Sequence, residues 1–169
     1  KLFDLLEVLK HCEQEPEWHG EGVVYFHCQL IIEELKKMNL SHELLSKLIL
    51  IALLHDIAKP YTTKIEDGKI AYPGHSKLGE KIVREYYQGK PYLTFDSIDE
   101  ICALVRYHGL PYLFNQKPNP DMAIIEASLR CSLYELAIFC EADFKGRLCS
   151  EASLDEALFN IELFKERTE

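Results

Sequence analysis

The hydrophobic residues of this chain recur mostly at intervals of three and four, the spacing that predicts amphipathic helices. The longest apolar stretch, residues 44–58, is apolar almost all the way round, which is typical of a helix enclosed by other helices. Ser41 is a candidate N-cap for it, and Pro60 is expected to end it. Because His55 and Asp56 lie near its end, this buried helix is predicted to bring ionisable side chains into the core.

Similar patterns predict further helices along the chain. They cover a short segment ending near His11-Cys12, residues 24–38, a segment opened by Pro73-Gly74, residues 98–108 capped by Asp96 or Ser97, and residues 122–129, 133–144 and 154–166. Residues 61–72 alternate around Asp67-Gly68, which predicts a hairpin or an extended loop and is the only β signal. Residues 110–120 contain three prolines and are expected to form a surface loop. The sequence therefore predicts an all-α fold, as one domain over residues 1–169.

Composition limits the classes of function. With 47% hydrophobic residues the chain is long enough to bury one core, and no apolar segment is long enough to span a membrane. No signal-peptide pattern is visible and the six cysteines form no Cys-x-x-Cys pair, so we expect a cytoplasmic protein with reduced thiols. The formal net charge of −9 argues against binding extended nucleic acid, whereas a small nucleotide or a short RNA end is compatible with it.

Six metal-compatible side chains are predicted on inward positions of five helices, each at or near a helix end. They are His27, His55, Asp56, His75, His108 and Asp143. Burying each alone would cost a few kcal/mol, against a total stability of about 5–15 kcal/mol, so one shared metal site explains them together better than separate core positions do. For His55 and Asp56 alone, an ion pair at a frayed helix end is the alternative. His11 and His42 fall on polar positions and are expected to be solvated.

The order of these residues resembles the HD-domain metal-dependent phosphohydrolases, in which a His, a His-Asp pair and a distal Asp follow one another on successive helices. His27, His55-Asp56 and Asp143 match that order. A closer resemblance is to the HD domain of bacterial tRNA CCA-adding enzymes and poly(A)-polymerase-like proteins, and to HD modules fused to polynucleotide kinases. The segments that carry it are Pro16–His19, Leu54–Pro60, Gly74–Gly79, Val105–His108 and Glu141–Arg147.

This resemblance implies an HD-domain helical bundle that hydrolyses nucleotide or RNA 3′-end phosphates, as a 2′,3′-cyclic phosphodiesterase, 2′-nucleotidase or phosphatase. It also implies a distribution of the six ligands over two metal ions. One ion would be held by His27, His55, Asp56 and Asp143, and the second by His75 and His108 with Asp56 as a bridge. A mixed imidazole and carboxylate set suits Mn, Ni, Fe, Co or Zn better than Mg, which prefers oxygen ligands.

Three more residues near the motifs are candidates for catalysis. Lys59 and Arg147 each follow a proposed ligand by one helical turn and would bind the substrate phosphate. His19 would bind the phosphate or protonate the leaving oxygen. The simpler explanations are that Lys59 and Arg147 are cations at helix C-termini and that His19 is an ordinary loop residue.

The architecture departs from the resembled proteins, because the chain has neither a nucleotidyltransferase segment nor a Gly-x-x-x-x-Gly-Lys-Ser/Thr phosphate loop. We therefore expect a stand-alone enzyme or a module of a protein with a neighbouring nucleotidyltransferase or kinase domain. Two other functions remain open on the sequence. One is a di-iron oxygenase with the same ligand set, and the other is a non-catalytic nucleotide-binding module of a larger RNA-processing protein.

Overall fold

A computed structural model describes residues 2–91 and 93–168 and confirms the all-α prediction. The α-helices are α1 (Leu2–Glu7), α2 (Val24–Lys37), α3 (His42–Leu54), α4 (Lys59–Thr62), α5 (His75–Tyr87), α6 (Phe95–Tyr107), α7 (Leu110–Leu113), α8 (Pro120–Ser128), α9 (Leu133–Lys145) and α10 (Glu151–Thr168). Short 3₁₀ segments, Val8–His11 and Phe114–Gln116, follow α1 and α7. Strands β1 (Lys64–Glu66) and β2 (Lys69–Ala71) form an antiparallel hairpin.

Helix α3 lies at the centre of the bundle, in contact with α2, α6 and α9. Its Leu48, Ile51 and Ala52 are fully buried, as expected for a helix that is apolar on all sides. The predicted N-cap is confirmed, because Ser41 Oγ accepts a hydrogen bond from the Leu44 backbone N–H at 3.2 Å. Within residues 2–91 and 93–168, none of the helices combines the length and apolar character that a membrane span requires.

The predicted end of this helix was wrong. Helix α3 ends at Leu54, before His55 and Asp56, and Pro60 lies in the first turn of α4 instead of ending α3. Proline is tolerated in a first turn because the backbone N–H that it lacks has no acceptor within the helix there. His55 and Asp56 therefore occupy a tight turn between two helices, and both are buried.

The hairpin prediction is confirmed. Ile65 pairs with Ile70, and the turn residues Asp67 and Gly68 have φ angles of 51° and 78°. The Ile70 backbone N–H donates to Glu15 Oε2 at 2.7 Å, which ties the hairpin to the loop that precedes α2.

Two other local predictions need correction. Residues 110–120 are not a surface loop throughout, because α7 and the 3₁₀ segment after it bury Leu110 and Phe114. The Phe114 ring packs edge-on against Phe164 of α10, with ring centroids 5.6 Å apart, and this apolar contact holds the segment inside. Helix α6 begins earlier than either proposed cap allows. Its N-cap is Thr94, two residues before Asp96, and Thr94 Oγ1 accepts from the backbone N–H of Ser97 at 3.1 Å.

Candidate metal centre

The fold brings the six predicted ligands together beneath one cleft. Five of them are buried and His75 is half-buried. Their ligand atoms form two groups, each with all atoms within 4.8 Å of one another. The first group is His27, His55 and Asp143, and the second is Asp56, His75 and His108. His11 and His42 are both exposed, as predicted.

The first group joins α2, the turn after α3 and the last turn of α9. His27 Nε2 lies 2.8 Å from Asp143 Oδ1, across 116 residues of sequence. The ring centroids of His27 and His55 are 5.6 Å apart. His55 Nε2 is also 3.0 Å from Asp56 Oδ2, which connects this group to the second.

The second group is built from the two histidines at the ends of α5 and α6. His75 Nε2 lies 3.4 Å from His108 Nε2 and 3.4 Å from Asp56 Oδ1. His108 Nε2 is 4.0 Å from the same Asp56 oxygen. The Asp56 carboxylate thus directs Oδ2 towards the first group and Oδ1 towards the second.

Three of these histidines share one backbone arrangement, in which Nδ1 lies within hydrogen-bond distance of the carbonyl oxygen three residues earlier. The pairs are His55 with Ala52 (3.0 Å), His75 with Tyr72 (2.8 Å) and His108 with Val105 (2.8 Å). A carbonyl only accepts, so each Nδ1 carries the proton and each Nε2 keeps its lone pair. This is the state in which imidazole binds a metal ion.

The facing acceptor atoms fit a cation between them. His55 Nε2 and Asp56 Oδ1 are buried without a hydrogen-bond partner among the described residues, although buried polar atoms are normally paired. Two ligand atoms bound to one transition-metal ion at about 2.0–2.2 Å lie roughly 2.9–3.6 Å apart, depending on the coordination angle. The shorter separations within the two groups, 2.8–3.4 Å, are close to that range, whereas the 4.0 Å between His108 Nε2 and Asp56 Oδ1 is somewhat longer.

The charges around the site are consistent with this fit. Burial opposes ionisation of Asp56, yet the electrostatic effects of His55 and Lys59 beside it hold its pKa well below the usual value. Burial likewise opposes ionisation of Asp143, and Arg147 and His27 together keep its pKa low. Burial lowers the pKa of His108 to about 3, so that ring is neutral near pH 7. Both carboxylates and His108 are therefore in the protonation states that metal ligands require.

The two predicted phosphate-binding cations line the cleft, but each contacts a ligand carboxylate. Lys59 Nζ is buried 2.7 Å from Asp56 Oδ2 and donates to Gln14 Oε1 at 2.7 Å. Arg147 donates from Nε and Nη2 to the two oxygens of Asp143, at 3.2 and 2.8 Å. In this structure both cations balance the negative charge of the ligand set.

His19 also lines the cleft and is buried. Its Nδ1 is 2.8 Å from Glu21 Oε1, and burial lowers its pKa to about 3 in spite of that contact. Sequence reasoning missed Glu21 and Gln14, because both lie in a loop where helical periodicity identifies no inward face. The available signal was an acidic residue between two glycines, two positions after His19.

Above the ligands the cleft has a volume of about 780 Å³. Its lining includes the three candidate catalytic residues and several aromatic side chains. The aromatic residues are Trp18, Tyr72, Tyr107, Tyr112 and Phe144. Small-molecule sites usually measure about 300–1,000 Å³, so the cleft has room for a nucleotide.

Comparison with known protein families matches residues 24–143 to the HD domain. The chain belongs to the HD-domain family. The match begins at α2, three residues before His27, and ends at Asp143, so it includes all six predicted ligands. HD domains are generally metal-dependent hydrolases, and the two His/Asp groups of this chain could hold a metal ion. A comparison with curated proteins found no match.

Proposed function

We propose that this chain is a metal-dependent phosphohydrolase that acts on nucleotide or RNA-end phosphates. The observation that carries the proposal is the position of Asp56, which directs one oxygen to each of two His/Asp groups beneath a cleft lined by Lys59 and Arg147. A phosphate ester needs charge stabilisation on its oxygens and an activated water, and this arrangement supports both.

We assign one ion to His27, His55 and Asp143 with Asp56, and a second to His75 and His108 with Asp56 as the bridge. Bound Mn, Ni, Fe, Co or Zn would polarise the phosphate and lower the pKa of a bound water. Backbone carbonyls hold the Nδ1 protons of His55, His75 and His108, so these three rings need little reorganisation on loading.

The remaining polar residues bind the substrate. Arg147 uses Nε and Nη2 on Asp143, and Nη1 has no partner among the described residues, so Nη1 is the donor we assign to the phosphate. Lys59 adds a second positive charge beside Asp56. With its Nδ1 proton engaged by Glu21, His19 has Nε2 left to accept a hydrogen bond from a substrate hydroxyl.

The substrate class follows from size and charge. A cleft of about 780 Å³ with five aromatic residues in its lining accommodates a nucleobase as well as a phosphate. The net charge of −9 disfavours long tracts of phosphate. A nucleotide or the 3′ end of an RNA therefore fits better than an internal segment of nucleic acid.

A phosphate-release assay tests the proposal. The protein is stripped of metal, reloaded with each transition metal or with Mg, and incubated with nucleoside 2′-, 3′-, 5′- and 2′,3′-cyclic phosphates while oxygen uptake is recorded. We expect metal-dependent hydrolysis of one class without oxygen consumption, and His42→Ala should match the unaltered protein. Oxygen uptake without hydrolysis would identify an oxygenase, and nucleotide binding without turnover would identify a binding module.

A further inference from the structure

Glu21 is a buried carboxylate that contacts both sides of the proposed site. Its side chain is only 2% exposed, although it lies in the loop before α2. Oε1 is 2.8 Å from His19 Nδ1 and 3.0 Å from His27 Nδ1. Oε2 accepts from the Leu148 backbone N–H at 3.0 Å. One side chain therefore connects a ligand, a substrate-side histidine and the residue that follows Arg147.

We propose that Glu21 is a positioning residue that directs Nε2 of His27 to the first metal ion and Nε2 of His19 to the substrate. The inference rests on the proposed function. An ionised carboxylate only accepts hydrogen bonds, so both Nδ1 atoms must carry protons. His19 Nε2 then keeps a lone pair, and His27 Nε2, which faces the Asp143 carboxylate at 2.8 Å, is the nitrogen left to release its proton when an ion binds. Among the described residues, His27 Nδ1 has no hydrogen-bond partner of good geometry. Its contact with Glu21 Oε1 is short enough, at 3.0 Å, but bent.

The proposal completes a pattern in the site. The other three histidine ligands have their Nδ1 proton fixed by a backbone carbonyl three residues earlier. His27 lies in the first turn of α2 and has no such contact, so Glu21 supplies the missing acceptor. A carboxylate behind a metal-bound histidine fixes the ring and increases its basicity.

The loop is built to hold Glu21 in this place. The Gly20 N–H donates to the Leu148 carbonyl at 2.9 Å, and a Cβ on Gly20 would lie 2.7 Å from that oxygen. Gly22 has a φ of 92°, which favours glycine, and its N–H donates to the carbonyl of His19 at 3.0 Å. The glycines on each side of Glu21 are therefore required by a close approach and a turn.

His19, Glu21 and His27 also lie close enough together to hold an ion of their own. That arrangement would require His27 to bind one ion through Nδ1 and another through Nε2, which needs an imidazolate ring. The chemistry of the His27 ring therefore favours positioning over a third ion.

The test measures metal binding of Glu21→Gln by calorimetry with Mn or Ni. Glutamine keeps the size but replaces one acceptor oxygen with an NH₂ group, so either the histidines or the Leu148 N–H lose their partner. We expect the first ion to bind about 10- to 100-fold more weakly and the second, on His75 and His108, to bind as before. Glu17→Gln, a matched change at an exposed position of the same loop, should bind both ions normally.

Two further measurements separate the roles. His19→Ala should leave the affinity for both ions unchanged, because His19 is not assigned as a ligand. Ring-nitrogen NMR of the zinc-loaded, histidine-labelled protein should show His27 protonated at Nδ1 and metal-bound at Nε2, a result that does not depend on the folding of any Glu21 variant.

Unchanged affinity in Glu21→Gln, or a His27 bound through Nδ1, would overturn the proposal. If the unaltered protein binds three ions and Glu21→Gln binds only two, Glu21 is itself a metal ligand. These outcomes are separate from the proposed function, which fails when the metal-loaded protein releases no phosphate from any substrate.

Discussion

At the scale of single residues, the site depends on which ring nitrogen each histidine presents. Three imidazoles have Nδ1 fixed by the local backbone, so their Nε2 atoms converge on carboxylates instead of donating to them. Removing one such ligand leaves the remaining acceptors without a cation. The first three predictions concern these residues and the cations beside them.

Replacing His55 or Asp56 should empty at least one metal position and abolish hydrolysis. Asp56 contacts both groups, so Asp56→Ala should lower metal content more than His55→Ala does. Elemental analysis after dialysis provides the measurement, and His42→Ala, which alters an exposed histidine, is the control. Full metal content in both single variants would contradict the ligand assignment.

Replacing His75 or His108 should lower the stoichiometry from about two ions per chain to about one, while the fold persists. The physical reason is that these rings contribute only to the second group, 3.4 Å from each other. Titration with Mn or Ni followed by circular dichroism measures both quantities, with His11→Ala as the control. An unaltered protein that never binds more than one ion would make the two histidines substrate-binding residues.

Arg147→Ala should reduce kcat/KM by roughly ten- to a hundred-fold, the effect of losing one charge-assisted contact of about 1.5–3 kcal/mol. Metal affinity should not fall, because the change removes a cation that competes for Asp143. Arg147→Lys should restore activity only partly, since an ammonium lacks the two-point fork. Lys59→Ala should behave similarly, whereas Lys145→Ala, at an exposed position, should have no effect. If Arg147→Ala and Lys59→Ala both keep the wild-type kcat/KM, neither residue binds the substrate phosphate.

At the scale of elements, the first metal group depends on how closely α9 approaches α2. Gly146 follows Asp143 by three residues, and a Cβ there would lie 2.9 Å from the backbone nitrogen of Ile31 and 3.1 Å from the carbonyl carbon of Leu30. The φ of Gly146 is −79°, so glycine is needed here for space and not for conformational freedom. The distance between His27 and Asp143 is therefore set by the absence of a side chain.

Gly146→Ala should destabilise the fold by about 1–3 kcal/mol, because an added methyl pushes two backbones apart. It should also weaken binding of the first ion, since α2 carries His27 and α9 carries Asp143. Urea denaturation and metal titration measure the two effects. Gly109→Ala is the stability control, because its Cβ would make an ordinary contact 3.7 Å from Leu113 Cδ1. Equal stability of both variants would show that the helices move apart without cost.

At the scale of the whole molecule, a network of charges joins parts of the chain that are far apart in sequence. Arg130, just after α8, donates to Glu80 of α5 at 2.6 Å and to Asp99 of α6 at 3.0 Å. The helices α5 and α6 carry His75 and His108 at their ends, so this network stabilises the pair of elements that forms the second metal group.

Arg130→Met should lower the free energy of unfolding by about 1 kcal/mol near pH 7, the scale expected for partly exposed ion pairs. The hydrogen bond from Arg130 lowers the pKa of Asp99 in the folded state. The stabilisation is therefore complete above the unfolded pKa of about 3.9 and is lost as the pH falls through the lower folded value. Denaturation at about pH 7 and about pH 3 measures the difference, and Arg167→Met, in an exposed pair with Asp121, is the control. If Arg130→Met destabilises the protein as much in acid as at neutral pH, the effect of Arg130 comes from its packing and not from its ion pairs.

Much of this molecule was predictable from its sequence. Hydrophobic periodicity is a local property, so it identified the longer helices, the hairpin and the inward positions of the six His and Asp residues, but not the short helices α4 and α7. Chemical type then suggested a metal site, because buried histidines and aspartates need a common partner. The family comparison confirmed an HD domain over residues 24–143.

Tertiary structure decided the rest. The end of α3 before His55 was not visible, because Ile57 and Ala58 continue the apolar pattern whether or not they continue the helix. The contact between His27 and Asp143 joins residues 116 apart. The contacts of Glu21 could not be derived from the sequence, since its partners His19, His27 and Leu148 meet only when the loop closes against the segment after α9. Periodicity places a side chain inside or outside. It does not show which nitrogen of the His27 ring faces the proposed ion, because that depends on how the loop carrying Glu21 folds against the segment after α9.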